Sequence, residues 1–90
     1  MVGMNAILSE AELQRVQSVI IDQLHIKPEE LTPEASLMND LGADSLDMVE
    51  IGMKLEELFQ CTIPDDLMEQ IVTVDDVYDA VSRLLRRGSS

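Results

Sequence analysis

The chain has 90 residues, which allows one small domain and excludes a second hydrophobic core. It contains 18 acidic and 6 basic residues, and the resulting net charge of −12 disfavours binding to nucleic acid and insertion into an anionic membrane. Its single cysteine excludes an internal disulfide, and no apolar run reaches the roughly 20 residues of a membrane span.

The first predicted helix covers about residues 10–24 and starts with a capping box. The Ser9 hydroxyl can accept one of the first N–H groups, while the Glu12 carboxylate reaches back to Ser9. Apolar residues follow at helical spacing, namely Leu13, Val16, Val19, Ile20, Ile21 and Leu24. His25 is expected to end the helix, where it favours the helix dipole. Residues 1–8 show no signal-peptide pattern, so we expect a flexible leader on a cytoplasmic protein.

A long connection is predicted over residues 25–44, because Pro28 and Pro33 prevent a regular helix there. A short helical turn is expected near residues 28–31. Four apolar residues can fix this connection to the helices, namely Ile26, Leu31, Leu37 and Leu41.

The second helix is predicted over residues 45–59, after a turn that Gly42 permits. Asp44 is a favoured N-cap residue, and Asp47 places a carboxylate in the first turn. Ser45 therefore lies at the first helical position, beside unpaired N–H groups that make a natural phosphate site. The alternative is that Asp44 and Ser45 only cap the helix.

Two apolar stripes run along this second helix. The stripe that we assign to the core contains Ile51, Leu55, Leu58 and Phe59. The other contains Leu46, Val49 and Met53 and is expected to be exposed. Gly52 should cost about 1 kcal/mol relative to alanine in a helix interior. Either a neighbour approaches closely at Gly52, or this helix is softer than most.

A short third helix is predicted near residues 66–71, after Pro64, with Leu67, Met68 and Ile71 facing inward. The last helix begins after Thr73 as N-cap, with Asp76 at the third position. Its inward residues are Val74, Val77, Val81, Leu84 and Leu85. Its last turns carry Arg83, Arg86 and Arg87, which complement the dipole. The predicted fold is an all-α four-helix bundle with three long helices, one short helix and a long first loop.

Two segments of this sequence are similar to those of a known family. Leu41-Gly42-Ala43-Asp44-Ser45-Leu46-Asp47 resembles the modification site of acyl carrier proteins, and Ile63-Pro64-Asp65 resembles the start of their short third helix. The resemblance extends over about residues 9–85 and includes the long first loop. It implies a fatty-acid-type carrier in which Ser45, next to Asp44, bears a covalent 4′-phosphopantetheine arm derived from coenzyme A.

The same resemblance implies partners and excludes catalysis. The partners would be a phosphopantetheinyl transferase and fatty-acid-synthesis enzymes, such as a ketosynthase, an acyltransferase, a reductase and a dehydratase. The family has no catalytic activity, and the sequence shows neither a nucleophile–base pair nor a metal-ligand cluster. We expect a non-catalytic monomer with a carrier domain at 9–87 and a flexible tail at 88–90.

Carboxylates surround the exposed stripe of the second helix, which makes this helix a candidate docking surface for basic partners. The predicted docking residues are Leu46, Asp47, Val49, Glu50, Met53, Glu56 and Glu57, and Asp44 adds a further carboxylate. The alternative is a solvated acidic face with Leu46 and Met53 half-buried.

A carrier would also shield its cargo, since an acyl chain in water exposes apolar area worth about 0.8 kcal/mol per methylene. Helices that part slightly could enclose it. The predicted acyl-cavity residues are Leu37, Met48, Leu55, Ile63, Met68, Ile71 and Val77. The alternative for each residue is ordinary core packing.

Two other functions stay open on the sequence alone. The first is a polyketide, peptidyl or aminoacyl carrier. The second is an acidic helical interaction module without a prosthetic group, although the sequence has no calcium-binding loop of the Asp-x-Asp-x-Asp-Gly type.

Overall fold

The computed structural model describes residues 8–88, with side chains to residue 85. Over that range the chain forms α1 (Glu10–Leu24), a 3₁₀ turn (Pro28–Glu30), α2 (Ser45–Phe59), α3 (Asp65–Gln70) and α4 (Val74–Gly88). The predicted all-α fold is therefore confirmed, with three long helices, one short helix and the long first loop. None of these described helices has the length and apolar character needed to cross a bilayer.

α1 has the predicted bounds because both of its ends are fixed locally. The Ser9 hydroxyl accepts from the Glu12 N–H at 3.1 Å, and the Glu12 carboxylate accepts from the Ser9 N–H at 2.9 Å. At the other end, His25 adopts a left-handed conformation with φ 57°, and its N–H donates to the Ile21 carbonyl. Val16 and Ile20 are fully buried. Leu8, which we placed in the leader, is also buried in the core.

The long loop is held by hydrogen bonds to the connection between α3 and α4. The Leu37 N–H donates to the Val72 carbonyl at 2.9 Å, and the Val74 N–H donates to the Ala35 carbonyl at 3.0 Å. Leu37 is fully buried, and the other three predicted anchors are half-buried against the core: Ile26, Leu31 and Leu41. The Ala43 N–H then donates to the Leu37 carbonyl at 2.8 Å. The backbone just before Ser45 is therefore fastened to the bundle.

α2 buries most of the face that we predicted. Ile51 and Leu55 are buried, and Phe59 is half-buried. Leu58 is a wrong prediction, because it is 39% exposed. A groove lies between Leu58 and α1, and the α1 residues that line it are Ala11, Gln14, Arg15, Ser18, Val19 and Asp22.

Gly52 is buried in the middle of α2, and the first of our two explanations is confirmed. A Cβ atom at this position would lie 3.1 Å from the Met68 sulfur and 3.2 Å from its methyl carbon. The absence of a side chain at Gly52 therefore lets the Met68 side chain of α3 lie against the backbone of α2.

α3 begins and ends one residue earlier than predicted, so Ile71 follows it, as a buried residue. Of the five α4 positions predicted to face inward, four are buried, namely Val74, Val77, Val81 and Leu84, and Leu85 is half-buried against the core. Tyr78 and Ala80 are buried too, and the sequence analysis missed both. Arg83 pairs with Asp79, with 3.2 Å between Nε and Oδ2. The side chains of Arg86 and Arg87 and the tail residues 89–90 lie outside the described part.

The start of α4 contains a carboxylate whose ionisation favours folding. Asp76 Oδ2 accepts from the Thr73 N–H at 3.0 Å and the Val72 N–H at 2.9 Å, and the Asp76 N–H donates to the Thr73 hydroxyl. The Thr73 N–H makes the largest contribution to lowering the pKa of Asp76 below its ordinary value of 3.8. Because the pKa is lower in the folded state, this stabilisation is present above pH 3.8 and is lost as the pH falls through the folded value.

We expect Asp76→Asn to lower the melting temperature at pH 7, because the variant lacks the charge that these N–H groups favour. The difference from the wild type should narrow below about pH 4, as Asp76 of the wild type becomes protonated. Thermal melts from pH 7 to pH 2.5 measure this difference, with Glu57→Gln as an exposed control. A difference that stays constant over this range would contradict the assignment.

Candidate functional site

Ser45 is the first residue of α2, and it is exposed. The turn before it uses Gly42 at φ 81°, a conformation that side chains resist, although a Cβ there would meet nothing within 4 Å. The capping hydrogen bonds are made by its neighbours. The Asp47 N–H donates to the Asp44 carboxylate at 2.8 Å, and the Asp44 N–H donates to the Asp47 carboxylate at 3.2 Å. The Ser45 hydroxyl is therefore not needed for capping.

The same geometry leaves donors for an anion. The capping box uses the N–H groups of Asp44 and Asp47. In the part of the chain that the structure describes, the N–H groups of Ser45 and Leu46 stay available to a phosphate or to water. Together with the positive end of the helix dipole, they favour a phosphate bound to the Ser45 oxygen.

A cavity of about 460 Å³ opens beside Ser45, between α2 and α3. Its inner wall is apolar, and three carboxylates, those of Glu56, Asp65 and Glu69, are among its lining residues. The complete lining is Met38, Ser45, Met48, Val49, Gly52, Met53, Glu56, Ile63, Asp65, Met68, Glu69 and Ile71. The candidate attachment residue and an apolar cavity therefore share one edge of the molecule.

The structure brings only part of the predicted cavity set together. Four of those residues line this cavity: Met48, Ile63, Met68 and Ile71. The other three do not line it: Leu37, Leu55 and Val77 are at most 1% exposed inside the core. They belong to the same core cluster as Ile63 and Ile71, which do line the cavity. Met38 and Gly52 line the cavity and were missed as cavity residues.

The second stripe of α2 is exposed, as predicted. Leu46 is 66% exposed, Val49 54% and Met53 61%. Leu46 and Met53 are therefore exposed rather than half-buried, contrary to the alternative considered for this stripe. Glu50 and Glu57 are also exposed on this helix. An apolar stripe with carboxylates beside it thus runs along α2 from Ser45.

Gln23 of α1 links three of the polar residues on α2. Its side-chain amide donates to Asp47 Oδ1 at 3.0 Å and to Glu50 Oε1 at 2.8 Å, and its oxygen accepts from Lys54 Nζ at 2.9 Å. The Gln23 amide is the largest cause of the lowered pKa of Asp47, and the Asp44 N–H is the next. Asp47 therefore remains ionised with both oxygens engaged. Sequence periodicity could not reveal Gln23, because its partners lie on another helix.

Glu56 also has an internal partner. It is half-buried and accepts from the Ile63 N–H at 2.7 Å, which fixes the turn between α2 and α3. Nearby, burial and then the charge of Glu56 raise the pKa of the Cys61 thiol. The thiol therefore stays protonated near neutral pH, which does not suit a nucleophile.

The chain was compared with models of known protein families. A family model described as a phosphopantetheine attachment site matches residues 14–81. The match begins within α1 and ends within α4, so it includes Ser45 and all residues that line the cavity.

Proposed function

Because the chain belongs to the phosphopantetheine attachment family, we propose that it is an acyl carrier protein of the fatty-acid type, with its arm on Ser45. Members of this family bear a covalent 4′-phosphopantetheine group and serve as carrier domains. When bound, that group supplies a thiol that holds an acyl chain as a thioester. In this proposal the protein does not catalyse the reactions of its cargo but presents it to other enzymes.

The observation that carries this proposal is the position of Ser45. Its hydroxyl is exposed, its helix N-terminus favours the phosphate of a phosphodiester, and the apolar cavity begins at the same residue. These residues fit the group, since a chain tethered at Ser45 has an apolar space beside its attachment point. Asp44 contributes by fixing the backbone conformation at this terminus.

The apolar inner wall favours fatty acids over amino acids or peptides as cargo. Met48, Ile63, Met68 and Ile71 present side chains without strong hydrogen-bonding groups. A polar cargo enclosed there would lose hydrogen bonds to water without replacement, whereas an alkyl chain gains about 0.8 kcal/mol for each methylene buried. Identification of the acyl group on protein isolated from its own cell tests this choice, and an aminoacyl or peptidyl group would contradict it.

Attachment of the arm is tested by incubation with coenzyme A and a promiscuous phosphopantetheinyl transferase, followed by intact-mass measurement. We expect one addition per chain, located by fragmentation on the peptide that contains Ser45. The absence of any addition would overturn the proposal and would favour an acidic interaction module instead.

We propose further that α2 is the docking surface for the transferase and for fatty-acid-synthesis enzymes. The sequence between residues 28 and 82 has 15 of the 18 acidic residues and one basic residue, Lys54. Charge of this kind accelerates encounter with a basic partner and leaves the complex short-lived if the interface is small. Of the predicted carboxylates, Glu50 and Glu57 are the exposed ones in the middle and at the end of α2.

We expect Glu50→Lys to slow the transferase reaction severalfold at low salt, because the variant repels a basic partner near Ser45. The difference from the wild type should shrink as salt is added, since salt screens exposed charges. Glu34→Lys changes the net charge equally on the exposed loop before α2 and serves as the control. Equal rates for Glu50→Lys and the wild type at every salt concentration would overturn the docking role.

A further inference from the structure

The cavity beside Ser45 has an unusual lining. The structure describes four methionines, Met38, Met48, Met53 and Met68, and all four line it. Met38 and Met53 are exposed, while Met48 and Met68 are half-buried. Methionine has three rotatable bonds and no branch, so it can fill a space and then move aside. A large part of the cavity wall therefore consists of side chains that can change their conformation.

One part of this lining brings α3 against α2. The Met68 side chain occupies the space that a side chain at Gly52 would fill, with 3.1 Å between the Met68 sulfur and the position of a Cβ on Gly52. The helix tolerates a glycine in its middle, where alanine would be intrinsically better. The space against the α2 backbone therefore depends on two residues: Gly52, which has no side chain, leaves it open, and the flexible side chain of Met68 occupies it.

We propose that Gly52 and Met68 set the longest acyl chain that the cavity accepts, a proposal that rests on Ser45 carrying the arm. Without cargo, the Met68 thioether lies over Gly52 and fills the space. A longer alkyl chain displaces this thioether and takes its place against the α2 backbone. A side chain at position 52 would occupy the space permanently, whereas a shorter side chain at position 68 would enlarge it.

The charge around the cavity specifies the chemistry of the cargo. Glu56, Asp65 and Glu69 contribute carboxylates to the lining, and the chain as a whole is strongly acidic. A cargo with a charged carboxylate at its far end would be repelled there. The pair of Gly52 and Met68 is thus a length selector for uncharged aliphatic chains.

The test uses a promiscuous phosphopantetheinyl transferase to load saturated acyl-4′-phosphopantetheine arms of increasing length, from butyryl to palmitoyl, onto Ser45. Each arm comes from the corresponding acyl-coenzyme A, and adenosine 3′,5′-bisphosphate is released. Cleavage of each thioester by hydroxylamine then reports how well the chain is enclosed. In the wild type we expect protection to increase with length up to a limit. In Gly52→Val, protection should stop increasing at a shorter acyl chain than in the wild type. For chains beyond that length, we expect cleavage to be faster than in the wild type by roughly tenfold for every two methylenes that no longer fit.

Three further variants complete the experiment. Met68→Ala should accept longer chains than the wild type, and the Gly52→Val/Met68→Ala double variant should return toward the wild-type limit, as expected for two residues that share one space. Leu58→Val makes a similar β-branched change on α2 away from the cavity and should leave the limit unchanged. Gly52→Ala, whose Cβ needs Met68 to shift by only tenths of an ångström, replaces the valine variant if that one does not fold.

The outcomes separate this inference from the proposed function. If intact mass shows loading at Ser45 but the length limit is the same in the wild type and in the Gly52 and Met68 variants, the inference is overturned and the carrier function stands. If Ser45 is loaded but no acyl chain of any length is protected from hydroxylamine, the inference is likewise overturned and the carrier function stands. Failure of Ser45 to accept any arm overturns both, since no tethered chain would then reach the cavity.

Discussion

Replacing Ser45 by alanine is expected to abolish attachment of 4′-phosphopantetheine and to leave the fold intact. The reaction needs a hydroxyl oxygen, and alanine has none. The fold should be preserved because the side chain of Ser45 is exposed and the capping hydrogen bonds join Asp44 to Asp47. Alanine is also a good helix former, so the free energy of unfolding should change by about 0.5 kcal/mol or less.

Intact mass after incubation with coenzyme A and the transferase measures the first effect, and a thermal melt measures the second. Ser18→Ala, an exposed serine-to-alanine change on α1, should load at the wild-type rate. An addition to Ser45→Ala at the wild-type rate would show that another residue accepts the arm. A large fall in melting temperature would instead mean that Ser45 supports the helix, as in the capping alternative.

The helix bounds could be predicted closely because the signals that start these helices are local. The capping pairs of α1, α2 and α4 each join residues three apart, as in Ser9 with Glu12 and Thr73 with Asp76. α3 is the exception, since Pro64 precedes it without a side-chain cap, and there the prediction was displaced by one residue. The position of Ser45 at the first residue of α2 was predictable for the same reason, because Asp44 and Asp47 form such a local cap.

Contacts between distant elements could not be predicted in this way. Gln23 reaches across to Asp47 and Glu50, and the loop residue Leu37 is held by the Val72 carbonyl. Neither contact produces a periodic pattern of residues in the sequence, so it cannot be predicted from spacing. Leu58 shows the reverse error, since its spacing on α2 is that of a core residue but its side chain is 39% exposed beside a groove between α1 and α2.

The sequence could predict that apolar residues line a cavity, but only partly which residues these are. Leucine, valine and methionine serve equally in a core and in a cavity wall, so residue type does not separate the two. Leu55 is 1% exposed in the core and does not line the cavity, whereas Met48 and Gly52 on the same helix do. Which residues line the cavity and which are buried in the core depends on how α3 packs against α2, and this is a matter of tertiary structure. Glycine inside an apolar helix was the one sequence signal of this contact; it left open a close neighbour or a softer helix, and the structure has the close neighbour.

Replacing Leu55 by alanine is expected to lower the free energy of unfolding by about 2–5 kcal/mol. Leu55 is 1% exposed and lies in the centre of the core with Ile20 and Ile51. Its loss removes buried apolar area and leaves a cavity that the surrounding helices fill only in part. Small domains have about 5–15 kcal/mol in total, so this single change would remove a large share of the stability.

Leu58→Ala is the matched control, because it is the same substitution three residues later on α2. Leu58 is 39% exposed, so we expect a loss of about 1 kcal/mol or less. Urea unfolding of both variants and the wild type measures the difference, with ionic strength held at about 0.15 M because salt screens the repulsion among the acidic residues. Equal losses for the two variants would contradict the burial assigned to α2. A greater loss for Leu55→Ala than for Leu58→Ala would show that burial, and not position on α2, determines the cost of the truncation.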